Sequence, residues 1–328
     1  MKILVTGSSG HLGEAIMRLG SVLGHQMTGL DIKPSPFTDI TGSIKDKEFV
    51  GQALSEVDAV IHSATLHKPH IATHSYQDFI DTNVNGTLNL LEAAVKEQVK
   101  AFVFTSTTSA FGQSLNAQPG EPAAWINEEV PSIPKNIYGT TKLAAEDLCE
   151  LFHYQHALPC LVLRTSRFFP EEDDNQQKRQ AFSADNLKAN EFLHRRVDLE
   201  DAAKAHFLAL EKAAEIGFTK YIISSTSPFR KEHLSDLHKD AGAVVEKLYP
   251  EFSEIYQKNH WKMSPRIDRV YVNEKARKEL DWQPNYDFAW VLEHIKNGTD
   301  FNSELARNVG IKGYHPRKFQ EGPYPVKE

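Results

Sequence analysis

Tyr138 and Lys142 are the residues whose types and spacing most directly indicate chemistry. Four positions apart on a helix, they would share one face and lie one turn from each other. The pKa of a free phenol is about 10, so tyrosine is a useful base near neutral pH only where a cation stabilises its phenolate. Lys142 could provide that charge and also hydrogen-bond a cofactor ribose. Taken alone, this spacing also fits an ordinary solvated helix turn.

Thr107 follows the apolar run 101–106, a predicted strand. Ligands of open α/β sheets bind at the carboxyl ends of the strands. Thr107 therefore lies where its hydroxyl could polarise the substrate oxygen that Tyr138 protonates or deprotonates.

The N-terminal residues predict a nucleotide-binding turn. The apolar run 3–5 is short enough for a buried strand, and helical periodicity begins after three glycines spaced three residues apart, Gly7, Gly10 and Gly13. Glycine lets the backbone approach a pyrophosphate, which binds the free N–H groups of a helix N-terminus. Asp31 ends the next apolar run, where an acidic residue would meet an adenosine ribose. A plain βα turn would show the same glycines, but this context favours a first βαβ unit over 1–32.

The elements that must position these residues alternate along the chain. Predicted strands at 58–62, 101–106, 161–163 and 220–224 alternate with the predicted helices 46–54, 76–96, 138–156 and 197–212. This order predicts an α/β protein with a Rossmann-type doubly wound parallel sheet and a smaller, mostly C-terminal substrate-binding lobe. The expected division is residues 1–170, completed by 197–227, for the sheet domain, and 171–196 with 228–328 for the lobe.

Composition narrows the classes of partner and compartment. A length of 328 residues accommodates one large domain and a smaller lobe. The net charge of −7 argues against nucleic acid as a partner, and no apolar run reaches the length of a membrane span. Only Cys149 and Cys160 are present, which fits a reducing compartment, and the N-terminus leads directly into the first predicted strand. We therefore expect a cytoplasmic protein.

Several motifs in order resemble those of the extended short-chain dehydrogenase/reductases of the NAD-dependent epimerase/dehydratase family. The matching positions are 6–13, Asp31, 62–65, 83–86, 105–112, 138–142, 163–169 and 279–284. The resemblance covers most of the chain, and several motifs in the right order are far more specific than any one alone. It implies the same fold and an NAD-dependent enzyme.

The resemblance also implies residue roles. Tyr138 would be the general acid/base, Lys142 would lower its pKa and bind the nicotinamide ribose, and Thr107 would hold the substrate oxygen. Asp31 favours NAD, because a carboxylate binds a 2′-hydroxyl and repels a 2′-phosphate, although Lys33 lies nearby. Asn83 would have a supporting role. The cofactor-binding candidates are Gly7, Ser9, Gly10, His11, Leu12, Gly13, Asp31, Ile44, Ala64, Asn83, Thr105, Tyr138 and Lys142.

The substrate-binding candidates are His67, Lys68, Thr107, Thr108, Arg167 and Arg266. Arg167 could bind a phosphate or carboxylate bidentately, or form a salt bridge with the acidic run that follows it; both interpretations stay open. That polar run, 171–180, is expected to be a solvated loop or helix end. His67, His70 and His74 have irregular spacing interrupted by a proline, so no metal site is expected.

Departures from the family pattern narrow the chemistry. Sugar-nucleotide dehydratases place an acidic pair after the catalytic threonine, whereas this chain has Thr108 and Ser109, which argues against water elimination. The segment 171–196 is shorter than the one with which epimerases hold a nucleotide, which favours a smaller polyol, sugar acid or hydroxy-ketone.

We therefore expect an NAD-dependent oxidoreductase that interconverts a secondary alcohol and a ketone on a small, polar, carbohydrate-derived substrate. One alternative is a nucleotide-sugar 4-epimerase with tightly bound NAD. Another is a non-catalytic NAD-binding regulator, against which the intact Thr107, Tyr138 and Lys142 argue. The resemblance further implies a homodimer through the helices at 76–97 and 138–156.

Overall fold

A computed structural model describes residues 1–118, 120–315 and 319. Each strand predicted from the sequence is present, with ends shifted by at most a few residues. The strands are β1 (Lys2–Thr6), β2 (Gln26–Asp31), β3 (Ile40–Thr41), β4 (Ala59–His62), β5 (Ala101–Thr107), β6 (Ala124–Ile126), β7 (Cys160–Thr165), β8 (Phe218–Ile223) and β9 (Arg269–Tyr271).

The helix predicted over 76–96 is a continuous helical stretch with a π-helical segment, Ile80–Asn85, in its middle. The α-helices are α1 (His11–Val22), α2 (Lys47–Ala53), α3 (Tyr76–Phe79), α4 (Gly86–Lys96), α5 (Ile137–His156), α6 (Gln176–Ala181), α7 (Ala184–Phe192), α8 (Leu199–Ile216), α9 (Leu234–Leu237), α10 (Ala241–Leu248), α11 (Phe252–Lys258), α12 (Glu274–Glu279), α13 (Phe288–Lys296) and α14 (Glu304–Val309).

Seven strands form one parallel sheet in the order β3-β2-β1-β4-β5-β7-β8. Side chains alternate across it, as a buried strand requires. Ile3 and Val5 pack in the core shared with α1 and α8, whereas Leu4 packs on the other face with α2, α4 and α5. The predicted doubly wound architecture is therefore confirmed.

Strand order reverses between β1 and β4, because the chain runs from β1 through β2 to β3 on one side before it returns to β4. At such a switch point the loops diverge and leave a crevice at the carboxyl ends of the strands. Gly7 follows β1, Ser63 follows β4 and Thr107 ends β5, so the predicted cofactor turn and the predicted hydroxyl face one crevice.

A second sheet pairs β6 with β9 in parallel register and was not predicted. It joins a separate lobe core that includes Phe192, Tyr256 and Phe288. Trp261 and Trp290 pack against that core, and Trp282 is buried in the core of the main sheet domain. Residues of α12 and α14 also pack on the main sheet, so the C-terminal segment contributes to both cores.

The acidic run after β7 is a loop that leads into α6, as predicted, and half of its residues are exposed, but two of its carboxylates are not solvated. Glu171 and Asp173 are 8% and 4% exposed, and they pair with His11 and with Arg167 and Arg195, respectively. Apart from Phe319, the predicted lobe beyond residue 315 lies outside the described residues. None of the helices in the described part of the chain has the length and apolarity needed to cross a membrane.

Candidate active site

A single cavity of about 1180 Å³ runs along the carboxyl ends of the sheet strands. It extends from the glycine turn after β1, past Asp31 at the end of β2, to Tyr138 and the loops around residues 67 and 167. Most of the predicted site residues line it, namely Gly7, Ser9, Gly10, His11, Leu12, Gly13, Asp31, Ile44, Ala64, His67, Lys68, Thr105, Thr107, Thr108, Tyr138 and Arg167.

The glycine turn is shaped so that side chains cannot be added. Gly7 has φ +76°, and a Cβ there would lie 2.7 Å from the Ala64 nitrogen. A Cβ on Gly13 would lie 2.0 Å from the Gly7 carbonyl oxygen. The turn opens α1, whose first N–H groups have no intrahelical acceptor and face the cavity end where a pyrophosphate would bind.

Asp31 lies where a ribose hydroxyl would meet it. Its Oδ2 accepts a hydrogen bond from the Ser9 amide at 3.1 Å, and its Oδ1 accepts one from the Lys33 amide at 2.9 Å. These bonds fix the carboxylate beside the glycine turn. The glycine cradle, the helix N-terminus and this carboxylate together fit a dinucleotide such as NAD.

Tyr138 and Thr107 meet at the floor of the cavity. Asn136 caps α5 by accepting a hydrogen bond from the Gly139 amide at 3.0 Å, which places Tyr138 in the first turn. The Tyr138 phenol and the Thr107 side chain both line the cavity there. Burial raises the pKa of Tyr138 to about 12, and the neighbouring Thr107 side chain acts in the opposite direction.

Lys142 lies one turn further along α5 and is 2% exposed. Its Nζ sits 3.9 Å from the centroid of the Phe104 ring, a cation–π contact. Burial lowers the pKa of Lys142 to about 7, against the charge of Glu146. Lys142 therefore does not lower the pKa of Tyr138 as predicted, because burial dominates both shifts and disfavours the charged form of each side chain.

Buried polar contacts hold α5 in place. Glu146, 0% exposed, accepts a bidentate pair of hydrogen bonds from Arg164 of β7, at 3.0 Å from Nε and 2.6 Å from Nη2. Its Oε1 also accepts a hydrogen bond from Ser106 at 2.5 Å. These contacts join α5 to β5 and β7 and so position the Tyr138 side of the helix.

Asn83 has a structural role and does not belong to the described residues that line the cavity. Its Oδ1 accepts from the Leu66 amide at 2.8 Å, and its Nδ2 donates to the Leu66 carbonyl at 2.8 Å and to Thr141 Oγ1 at 3.0 Å. Asn83 thus connects the π-helical segment to the loop after β4 and to α5. The predicted supporting role fits these contacts.

Thr105 lines the cavity, but its hydroxyl bonds His206 Nε2 at 2.8 Å. His206 Nδ1 lies 2.7 Å from the Ala202 carbonyl oxygen and must donate to it, so Nε2 is the acceptor for Thr105. Burial lowers the pKa of His206 to about 4, which keeps the ring neutral.

Aromatic rings form the wall near Tyr138. The His67 ring stacks on Phe169 with centroids 5.4 Å apart and meets Tyr138 edge-on at 6.5 Å. Burial lowers the pKa of His67 well below its usual value, so its imidazole is neutral. A neutral imidazole next to the phenol can exchange hydrogen bonds with a hydroxylated substrate without adding charge.

Cationic side chains converge at the far end of the cavity. Arg167, Lys178, Arg195 and Arg269 line it, while the carboxylates of Asp173 and Glu191 are 4% and 2% exposed. Arg167 lies 3.3 Å from Asp173 and 3.7 Å from Glu191, so it makes the salt bridge to the acidic run and also faces the cavity.

Two predicted substrate contacts are paired or displaced. Lys68 lines the cavity and pairs with Asp174 at 3.0 Å. Arg266 is exposed and is not among the described residues that line the cavity, because alternation before β9 buries the neighbouring Ile267 in the lobe core. Arg269, three positions on, faces the cavity instead. In the part of the chain that the structure describes, no three His, Cys, Asp or Glu side chains form a group able to hold a metal ion.

The cavity also contains residues that the sequence did not indicate. Lys178 and Arg195 belong to the region expected to be a solvated run and its continuation, while Lys312, Gly313 and Tyr314 arrive from the far end of the chain. Lys178 and Arg195 reach the cavity because carboxylates of the acidic run are buried, and composition does not show that burial. No local pattern distinguishes 312–314.

This fold and site are those of a Rossmann-type dinucleotide-binding protein with a Tyr–Lys pair and a threonine hydroxyl. The sequence profile described as "NAD dependent epimerase/dehydratase family" matches residues 3–223, so the chain belongs to that family. It is accordingly an NAD-dependent enzyme of the extended short-chain dehydrogenase/reductase type, as the motifs predicted.

Characterised relatives and solved structures agree with this assignment. The chain is 24% identical to a UDP-glucose 4-epimerase of Halalkalibacterium halodurans over 90% of this chain and 95% of the relative. It is 30% identical to a dTDP-glucose 4,6-dehydratase of Streptomyces niveus over 52% of this chain and 55% of that one. A short-chain dehydrogenase/reductase superfamily protein from Agrobacterium tumefaciens with bound NAD shares the fold, with TM-score 0.65, 21% identity and coverage of 94% and 97% of the two chains.

Proposed function

We propose that the protein transfers hydride between NAD and a secondary alcohol or ketone carbon of a polar, carbohydrate-derived substrate that carries an anionic group. The observation that carries the proposal is the placement of Thr107 and Tyr138 together in the same cavity as the glycine turn and Asp31. A cofactor bound at the glycine turn and a substrate hydroxyl bound by Thr107 and Tyr138 would therefore be neighbours in this cavity.

In this mechanism the Thr107 hydroxyl orients the substrate oxygen, and the Tyr138 oxygen exchanges the proton with it. NAD held by the glycine turn and Asp31 would supply the hydride acceptor in its oxidised form and the hydride donor in its reduced form. Lys142 is buried one turn further along the same helix and is not among the described residues that line the cavity, whereas the neutral His67 imidazole borders the phenol. General acid/base catalysis of this kind contributes about 10²–10⁴-fold to a rate.

The arginine side chains at the far end of the cavity are the reason to propose an anionic group on the substrate. The Nε atoms of Arg195 and Arg269 are buried and have no hydrogen-bond partner within the described chain. The pKa of Lys178 is lowered, first by the charge of Arg195, so cations there repel one another. A carboxylate or phosphate would satisfy the guanidinium N–H groups and reduce that repulsion.

A nucleotide-sugar 4-epimerase is the second candidate. A full-length relative bears that name, and the cavity is long enough to bind a cofactor and a further ligand together. Elimination of water is disfavoured, because Thr108 and Ser109 follow the catalytic threonine and neither is an acid.

An absorbance screen at the NADH band separates these candidates. Purified protein would be mixed with NAD and a panel of sugar acids, sugar phosphates, polyols and nucleotide sugars. NADH growth with one small anionic substrate would establish the dehydrogenase. No net NADH, together with conversion of a nucleotide sugar into its epimer, would establish the second candidate, and no change in any substrate would contradict both.

The substrate's anionic group has its own test within the same assay. Arg269→Gln and Arg195→Gln should each raise KM by about tenfold, since one charge-assisted hydrogen bond is lost, with kcat less affected. Arg266→Gln is the matched control and should leave KM unchanged, because Arg266 is exposed outside the cavity. An equal KM for all four proteins would refute the anion site.

A further inference from the structure

The last described segment of the chain crosses the cavity. After α14, residues 312–315 form what we call the C-terminal strap, and Lys312, Gly313 and Tyr314 of it line the cavity. Gly313 has φ +70°, a left-handed conformation that lets the backbone turn there. The strap lies outside the region 3–223 that matches the family, so membership assigns it no role.

Glu171 holds three groups of the strap. Its Oε1 accepts hydrogen bonds from the amides of Lys312 and Gly313 at 3.3 and 3.1 Å, and its Oε2 accepts one from the Tyr314 hydroxyl at 3.1 Å. The side chain is 8% exposed, and bonding to His11 keeps the pKa of its carboxyl below the usual value despite burial. The carboxylate is thus charged and saturated with donors.

His11 connects this carboxylate to the cofactor turn. Its Nε2 lies 2.7 Å from Glu171 Oε1 and must carry a proton to make that contact. With Nε2 protonated, the Lys312 amide, which lies 3.3 Å from that nitrogen, donates to Glu171 instead. His11 is the first residue of α1, so the strap is attached directly to the end of the helix that would face a pyrophosphate.

The strap is attached on both sides of the cavity. Lys312 Nζ pairs with Glu14 of α1 at 2.5 Å. On the other side, His315 Nε2 donates to the Pro69 carbonyl at 2.9 Å, in the loop after β4. Between these ends the Tyr314 ring meets the His67 ring edge-on, with centroids 4.7 Å apart. The segment therefore spans the opening between the cofactor turn and the substrate end.

We propose that the C-terminal strap closes the site over the cofactor and that Glu171 is the positioning residue that fastens it. The inference rests on the proposed function insofar as it takes NAD as the group held under the strap. Release of the cofactor then requires the hydrogen bonds of Glu171 and the Lys312–Glu14 pair to break. The strap thereby slows release of the cofactor.

The test measures cofactor release. Protein loaded with NADH is mixed with excess NAD, and the loss of bound NADH fluorescence gives the release rate. Glu171→Gln removes the charge that pairs with His11, and Tyr314→Phe removes one hydroxyl without changing ring volume. Each should raise the release rate by about tenfold, the equivalent of one charge-assisted hydrogen bond.

The matched control is Glu172→Gln, which removes the same charge one residue further on, where the side chain is exposed. It should leave the release rate unchanged. Hydrogen exchange of the Lys312 and Gly313 amides gives a second readout, with protection in the wild type that is lost in Glu171→Gln. Wild-type release rates in both strap variants, or unprotected amides in the wild type, would overturn the proposal.

These outcomes are separable from those of the proposed function. Tyr138→Phe should lower turnover by about 10²–10⁴-fold and leave NADH release slow. A protein without turnover on any substrate, but with faster release in Glu171→Gln, would refute the catalytic proposal alone. Normal turnover with unchanged release in both strap variants would refute the strap alone.

Discussion

Tyr138 and Lys142 show how burial acts on two ionisable groups one helical turn apart. The same desolvation raises the pKa of the phenol to about 12 and lowers the pKa of the amine to about 7. Both shifts favour the neutral forms. At neutral pH the phenol is therefore protonated, and the lysine is near the midpoint of its titration. Thr107 is the neighbour that lowers the pKa of the phenol.

Replacing Tyr138 tests the proton transfer. Tyr138→Phe should lower kcat by about 10²–10⁴-fold, the usual contribution of a positioned acid/base, while NAD affinity stays near that of the wild type. Steady-state turnover and NAD titration by fluorescence measure the two effects. Thr107→Ser, which keeps the hydroxyl, is the control and should retain most activity. Full activity of Tyr138→Phe would refute the mechanism.

Replacing Lys142 tests its lowered pKa. The unfolded lysine, with pKa 10.5, binds a proton that the folded one has lost between pH 7 and 10.5. Stability of the wild type relative to Lys142→Met should therefore rise with pH across that window. Urea unfolding at pH 6.5, 8.0 and 9.5 measures the difference. Lys96→Met, at a side chain 77% exposed, should show no such trend. A pH-independent difference for Lys142→Met would contradict the shift.

At the scale of elements, the site depends on how α5, the π-helical segment and the loop after β4 meet. Asn83 joins all three through hydrogen bonds to Leu66 and Thr141. Thr141 precedes Lys142, and Leu66 precedes His67. Asn83 does not line the cavity, yet its hydrogen bonds fix the positions of the residues that precede His67 and Lys142. The wider π-helical turn places Asn83 where it can reach both segments.

Replacing Asn83 tests that connection. Asn83→Ala should lower the free energy of unfolding by about 1–3 kcal/mol, because the part-buried Leu66 amide loses its acceptor, and kcat should fall as well. Urea denaturation and steady-state kinetics measure both. Asn85→Ala in the same π-helical segment is the control, since Asn85 is exposed and bonds Asp81 at the surface. Equal losses in the two variants would show that Asn83 has no special role.

At the scale of the whole molecule, the helices expected to form a dimer carry exposed apolar side chains. Tyr76 and Ile80 begin the helical stretch before α4, and Leu151 and Tyr154 lie on α5. Their exposures of 71%, 38%, 42% and 74% leave these side chains largely in water in a monomer. The homodimer through these helices therefore remains our prediction for solution.

Sedimentation equilibrium at micromolar concentration tests the dimer. The wild type should have twice the chain mass of 37.0 kDa, and Leu151→Glu combined with Tyr154→Lys should give the monomer, because charges would be buried at the interface. Val22→Glu is the control, since Val22 is 83% exposed on α1, on the opposite face of the sheet. A monomeric wild type would refute the prediction.

The sequence by itself determined the sheet, the glycine turn and the Tyr138–Lys142 pair. These features follow from local periodicity and spacing: short apolar runs, glycines every three residues, and two residues four positions apart on one helix. Asp31 followed from the same local rule, because the length of a βαβ unit fixes where the second strand ends. The chain therefore needed no distant contact to reveal its class.

Only the tertiary structure decided what surrounds that core. Arg195, Arg269 and Tyr314 line the cavity because segments far apart in the chain pack together, and Glu171 holds the strap through the same long-range packing. The short parallel pairing of β6 with β9 that presents Arg269 has no local signal. The directions of the pKa shifts of Tyr138 and Lys142 were likewise undetermined, because desolvation depends on atoms contributed by every neighbouring element. Burial and long-range contact are properties of the folded chain, and no window of sequence contains them.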